Sequence, residues 1–416
     1  MRAAVYSRLH EGGISLTTKE APTEAKPGHV LCAVECAGVN PVDAKGMVGD
    51  KVPAFLQPFM RRTVDGNIIG YDFAGRVVKV PEGCSEFKEG DEVFGMMPRA
   101  TGSLCEIVEA PTSQIALKPK NLSFAEAAAL PLVGLTVYQC LKVSNNLNEG
   151  QRLLVLGGSG GVGHMAVQMG KALGAHVTAV CSGRNSEWVK SLGADVVVDY
   201  SEGHEALLRE LQSQACAAGA PFDLCLDTVH SVDKEDATVG YESLIREARI
   251  MQDVGAGREG PRGDGSGSSA ESVRQIGEGP LLGGKYVTIG GPTSDWMRAW
   301  VKRNWGWDFF PNGRELFWVR YAQSGGELGE IRSLAEEGKV RPVVALEVPF
   351  SEDGVREAFR QLKGRRVRGK IVVRVKRETE EGERESGGIL PERSGDVEER
   401  GTEKEEVPCV QTAKAS

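Results

Sequence analysis

Apolar residues recur along this chain in two rhythms, and the change between them falls between Asn121 and Ser123. Before it, short apolar runs at 30–35, 72–80 and 91–96 read as strands, separated by turns such as Pro81-Glu82-Gly83 and Lys88-Glu89-Gly90-Asp91. Short β runs with turn signals at that spacing predict an antiparallel barrel. After it, strands alternate with helices. Ser123-Phe124-Ala125-Glu126 has the form of a capping box, in which serine and glutamate satisfy each other's free backbone N–H groups. Strands are expected at 152–156, 176–181, 196–198, 222–227 and 285–289, with helices at 163–173 and 186–192. That alternation predicts parallel β-α-β winding around a sheet buried on both faces. Helices at 327–338 and 352–363 follow, and a closing strand at 370–375.

Two stretches break the pattern. Residues 255–284 are rich in glycine and serine, bury too little apolar area to offset chain entropy, and are expected to form a mobile surface insertion. The tail 376–416 carries 12 acidic and 7 basic residues and few large apolar ones, so it is expected to be disordered. It also supplies most of the net charge of -8. That negative balance argues against nucleic acid as the main partner, since binding phosphate backbones needs basic stripes. No apolar run approaches bilayer length, so no integral span is expected. The nine cysteines are scattered without a CxxC pair and read as reduced core thiols. A strand-like segment begins at Met1, which makes the cytosol the default address.

The chemistry concentrates where strand 152–156 runs into Gly157-Gly158-Ser159-Gly160-Gly161-Val162-Gly163 and a helical pattern starts at once. A glycine turn between strand and helix lets backbone approach a pyrophosphate, and the helix N-terminus offers free N–H groups to it. Ser159, Gly160, Gly161 and Val162 are the expected contacts. A site for NAD ends its second strand with an acid for the ribose hydroxyls. Here strand 176–181 ends in Ser182-Gly183-Arg184-Asn185, and a hydroxyl with a guanidinium suits the 2′-phosphate of NADPH.

Further landmarks are Gly38-Val-Asn-Pro-Val-Asp-Ala-Lys45, Gly70-Tyr-Asp-Phe-Ala-Gly75, Gly90-Asp-Glu-Val93, Ala129-Leu-Pro-Leu-Val-Gly-Leu-Thr136, Leu192-Gly-Ala-Asp195 and Arg368-Gly-Lys-Ile-Val-Val373. With these the chain resembles the medium-chain dehydrogenase/reductases, in particular their zinc-free quinone-oxidoreductase branch. The resemblance implies an α/β protein in which a GroES-like β-barrel domain, 1–121 and 326–375, flanks a Rossmann domain, 122–325. It implies hydride transfer to a small quinone or α,β-unsaturated carbonyl, and a homodimer. It also leaves mitochondrion or plastid open beside the cytosol. Zinc members keep ligands where this chain has Asn40, Tyr71-Asp72, and Leu132 or Val133. Too few N/S/O ligands stand there for zinc.

The resemblance makes Asn40, Tyr71 and Lys45 the candidate catalytic donors toward the substrate oxygen. It places Thr136, Gly290 and Gly291 by the nicotinamide, and Ser182, Arg184 and Tyr200 at the adenosine end. Asp72 and Asp91 are expected to stabilise turns. His230 stands where the family continues with glycine, as a proton relay or a loop histidine. Five of six tryptophans fall between Trp296 and Trp318. They are candidates for core packing, an acceptor pocket, a dimer contact or a peripheral membrane contact. A non-catalytic NADPH-binding or scaffold protein and a zinc-free aldehyde reductase are the competing readings.

Overall fold

Six parallel strands form the sheet that carries the glycine turn. The computed structural model describes residues 1–7, 13–44, 65–98, 101–229, 241–251, 276–311 and 313–376. The sheet order is Val196–Asp199, His176–Cys181, Arg152–Leu156, Phe222–Asp227, Leu282–Thr288 and Arg314–Leu316. Counted along the chain this is 3-2-1-4-5-6, the doubly wound order, and it reverses beside Arg152–Leu156. Alternate residues of that strand feed opposite cores, as a period of two requires. Leu153 and Val155 join Val167 and Met169 of helix Gly163–Ala172. Leu154 and Leu156 join Leu207, Leu211 and Ala215 of helix His204–Ala218.

The second sheet has seven strands, built around the eleven-residue strand His29–Val39. Asp72–Lys79 pairs antiparallel along one edge, while Ile107–Pro111 and Lys370–Arg374 share the other. The closing strand of the fold is thus hydrogen-bonded to one near its beginning. A hairpin of Arg2–Tyr6 and Ile14–Thr18 attaches through bridges at Ala3–Cys105 and Val5–Ile68.

Helices Phe124–Ala128 and Pro131–Tyr138 stand between the sheets. The capping box is formed: Ser123 accepts from the Glu126 N–H, and Glu126 from the Ser123 N–H. The first helix packs on His29–Val39 and Asp72–Lys79, the second on Gly163–Ala172. One apolar cluster therefore runs from Cys36, Ala74 and Phe94 through Ala127, Leu130 and Leu135 to Leu153 and Val155. Residues 1–376 fall in a single compact unit, and the shared apolar cluster includes Leu122 and Leu328.

The expected insertion is shorter at its C-terminal end. Ile276–Pro280 pairs antiparallel with Arg249–Met251, and Leu282 opens a parallel strand. Residues 255–275 and the tail from 377 lie outside the described residues, as do Lys45 and His230. Eight of the cysteines are free, six of them buried; Cys409 is not among the described residues. Core packing does not account for the aromatic group: Trp300, Trp305, Trp307, Phe309 and Trp318 are all more than a third exposed, and only Phe310 and Phe317 are buried.

Candidate functional site

The strand-to-helix turn begins at Gly157, whose φ of +81° lies in the left-handed region; an added Cβ would stand 2.7 Å from Thr228 Oγ1. Gly157 and Gly158 both donate to the carbonyl of Val180 at 2.9 Å, folding the turn back over the second strand. At Gly163, the first helical residue, a Cβ would overlap the carbonyl oxygen of Gly157. Glycine at these positions is what allows turn and helix to touch. The helix has no side-chain cap, which leaves its N-terminal amides and dipole to an anion.

The turn is braced from the far end of the chain. His164 Nδ1 donates to the Gly160 carbonyl at 3.0 Å, and Val343 N–H donates to Nε2 at 3.1 Å. That pair of bonds fixes a neutral imidazole tautomer, and burial pulls its pKa down to about 4. One turn on, Gln168 donates to the Arg341 carbonyl at 3.0 Å and accepts from its N–H at 2.8 Å.

At the adenosine end, Asn185 Nδ2 donates to both Ser159 Oγ and Ser182 Oγ at 3.1 Å, linking the phosphate turn to the end of the second strand. Its buried Oδ1 has no partner. Arg184 is exposed, and Arg368 from the closing segment donates to its carbonyl at 3.0 Å. Tyr200 is 44% exposed, and its N–H donates to the Cys181 carbonyl at 3.2 Å. An acid does approach, from the neighbouring strand: the Asp199 carboxylate accepts from Ser201 and from the Gly183 N–H, which hold its pKa below the usual range. Its charge is committed to the loop. This cradle brings together glycine backbone, two hydroxyls and two guanidinium groups, donors suited to the anionic groups of a dinucleotide.

At the other end, Thr136 lies buried on helix Pro131–Tyr138. Gly290 follows strand Leu282–Thr288, its carbonyl accepting from Thr288 Oγ1 at 2.5 Å. Gly291 is turned inward, where a Cβ would stand 3.1 Å from Asp295 and 3.2 Å from Leu316. Asp227 ends the adjoining strand, accepting from Tyr286 Oη at 2.7 Å and from Val229 N–H at 2.9 Å.

Two of the expected catalytic donors, Asn40 and Tyr71, lie among the described residues. Asn40 is 0% exposed: its Nδ2 donates to Asp72 Oδ2 at 2.9 Å and its Oδ1 accepts from Lys370. Both ends of the amide are thus held by charged partners within the fold. Tyr71 is buried in the cluster that joins the two sheets. Asp72 is no turn residue, since its Oδ1 accepts from Leu132 N–H at 2.9 Å and burial raises its pKa against the pull of Lys370. Asp43 lies in the same cluster and is pushed up to about 8, first by burial. Asp91 does brace a turn, accepting from Lys88 N–H at 3.0 Å. Among the described residues, no group of three His, Cys, Asp or Glu side chains could hold a metal ion.

Lys370, His164 and Asn185 are the residues that sequence reasoning missed. The signal for the last was its place three residues after Ser182, the spacing at which a loop amide reaches back to a hydroxyl.

Comparison with known proteins agrees with this architecture. Residues 26–124 match the family model for the alcohol dehydrogenase GroES-like domain, and 161–251 and 268–373 match two models described as zinc-binding dehydrogenase. The mitochondrial NAD(P)H oxidoreductase RTN4IP1 of Danio rerio is 32% identical over 395 residues, covering 92% of this chain and 93% of that protein. The chloroplastic NADPH-dependent alkenal/one oxidoreductase of Arabidopsis thaliana is 31% identical over 385 residues, covering 90% and 79%. The quinone oxidoreductase structure from Coxiella burnetii shares the fold, with a TM-score of 0.64 at 24% identity over 90% of this chain and 99% of that one.

Proposed function

The chain belongs to the medium-chain dehydrogenase/reductase family, and from that premise we propose that it uses NADPH to reduce quinones or α,β-unsaturated carbonyls without a metal. One observation carries the cofactor choice: the second strand ends in Ser182 and Arg184 with Arg368 alongside, and the nearby carboxylate of Asp199 is already held by backbone and Ser201. Two cations and a hydroxyl favour a 2′-phosphate over a bare ribose. Ser159, Gly160, Gly161 and Val162 would hold the pyrophosphate, Tyr200 the adenosine end, and Thr136, Gly290 and Gly291 the nicotinamide. Bound there, the reduced nicotinamide supplies the hydride. The protein's own contribution is alignment in a closed cleft, with the acceptor electrophilic enough to need no Lewis acid. The names of the two curated relatives, an NAD(P)H oxidoreductase and an alkenal/one oxidoreductase, support this acceptor class.

Arg184→Ala should weaken NADPH binding by about tenfold or more and leave NADH nearly unchanged, as loss of a charge-assisted phosphate contact requires. Equal losses for both would remove the phosphate contact. NADPH oxidation is to be followed with a naphthoquinone, a short enone and a simple aldehyde. Turnover of the aldehyde alone would replace the proposed acceptor class, and tight binding with no turnover of any would leave a binding protein.

A further inference from the structure

Lys370 is 4% exposed, in the strand that closes the fold. Its ammonium donates to the Val39 carbonyl at 3.2 Å, to Asn40 Oδ1, and to Asp72 Oδ2 at 3.4 Å. Asp72 in turn holds the Asn40 amide and, through Leu132 N–H, the first turn of the helix that carries Thr136. The three places where zinc members keep ligands therefore converge on one carboxylate, and the cation beside it is an ammonium. The other end of the residue lies on the nucleotide turn. Gly369 N–H donates to the Ser159 carbonyl at 3.3 Å. A Cβ at Gly161 would stand 3.3 Å from Gly369 O and 3.4 Å from Lys370 Cδ.

We propose that Lys370 is a positioning residue that couples the seating of the nicotinamide dinucleotide to the geometry of the catalytic half. Its stem and the backbone of the preceding Gly369 form the back wall of the glycine turn. Its ammonium fixes Asn40 and Asp72, and through them the approach of the Thr136 helix to the nicotinamide. The proposal rests on the reading of the glycine turn as a dinucleotide site. The charged groups facing the ammonium are Asp72 and, across the cluster, Asp43; His164 lies on the nucleotide side and is neutral. Removing the cation leaves a buried carboxylate uncompensated, which takes up a proton instead.

The test uses the full chain with Lys370→Met, which keeps most of the stem, and Lys370→Arg, which keeps the charge. NADPH affinity, the emission maximum of the bound nicotinamide, and kcat against pH with a naphthoquinone are measured for each. For Lys370→Met, affinity should stay within about threefold while the bound emission shifts, and kcat should fall about tenfold or more near neutral pH and partly recover as the pH is lowered and Asp72 takes up a proton. Lys370→Arg should restore most of the emission and rate. If Lys370→Met does not fold, Lys370→Met with Asp72→Asn, which removes the carboxylate in contact with the lost ammonium, should fold and show the shifted emission with a weaker recovery of kcat at low pH. Wild-type emission and pH profile in either folded Met variant overturn the proposal, as does a loss of affinity and rate in equal measure with no pH recovery. A wild-type protein that binds NADPH but reduces no acceptor defeats the proposed reaction and leaves the emission measurement to decide the role of Lys370.

Discussion

His164 shows how one side chain can join two distant parts of the chain. Its ring spans the Gly160 carbonyl and the Val343 N–H, and it accepts the latter bond only while neutral. With its pKa near 4 in the folded protein and about 6.5 when unfolded, the unfolded chain binds the extra proton first as pH falls. The stabilisation is present in full above about pH 6.5 and is lost as pH drops through about 4, a change of roughly 3 kcal/mol. Urea unfolding followed from pH 7 to pH 4 should show this slope, and His164→Gln, which keeps a donor and an acceptor, should flatten it. An unchanged slope in that variant would mean other groups control acid stability. Such residues were not legible in the sequence. His164 and Lys370 owe their roles to partners brought near by the fold, and nothing in their local pattern announces it; Asn185 alone had a local signal, its spacing from Ser182. Asn40 was legible as a motif, but its pairing with Asp72 and Lys370 was not, because pattern reading does not supply partners from distant strands.

At the scale of elements the sequence was far more transparent, for a physical reason. The parallel strands are buried on both faces, so Arg152–Leu156, His176–Cys181 and Phe222–Asp227 are nearly unbroken apolar runs with sharp ends. Helix Glu352–Lys363 was as clear, since its serine cap and its apolar face, Val355, Ala358 and Phe359, mark it locally. The strands Arg249–Met251 and Ile276–Pro280 were hidden by glycine-rich surroundings, where pairing partner rather than composition makes a strand. The glycine turn is the element with the least tolerance. Gly163→Ala drives a methyl into the Gly157 carbonyl, so the turn must open. The expected cost is about 1–3 kcal/mol of stability together with loss of measurable NADPH binding. Thermal unfolding and cofactor titration of the variant check both, and retained tight binding would show that the turn has room the geometry denies it.

For the whole molecule, the fold class was readable in the sequence. Two rhythms of hydrophobicity suggested a barrel and a doubly wound sheet, and the helices between the sheets share one apolar cluster with residues of each. The chain also returns to its beginning, with Lys370–Arg374 paired to Cys36–Val39. A chain ending at residue 343 should therefore lose protection of its N-terminal sheet as well as its C-terminal elements. Limited proteolysis would show this, and a fragment 1–124 as resistant as in the full chain would contradict it. The same pairing sets a clock on biosynthesis. Cys36 and Arg374 are roughly 340 residues apart, so at ordinary elongation rates the first sheet waits roughly 15–70 s for its last strand to leave the ribosome. Throughout that interval one edge of His29–Val39 stands incomplete. The newborn chain is then a client for whatever shields unpaired strands, before it is ever an enzyme.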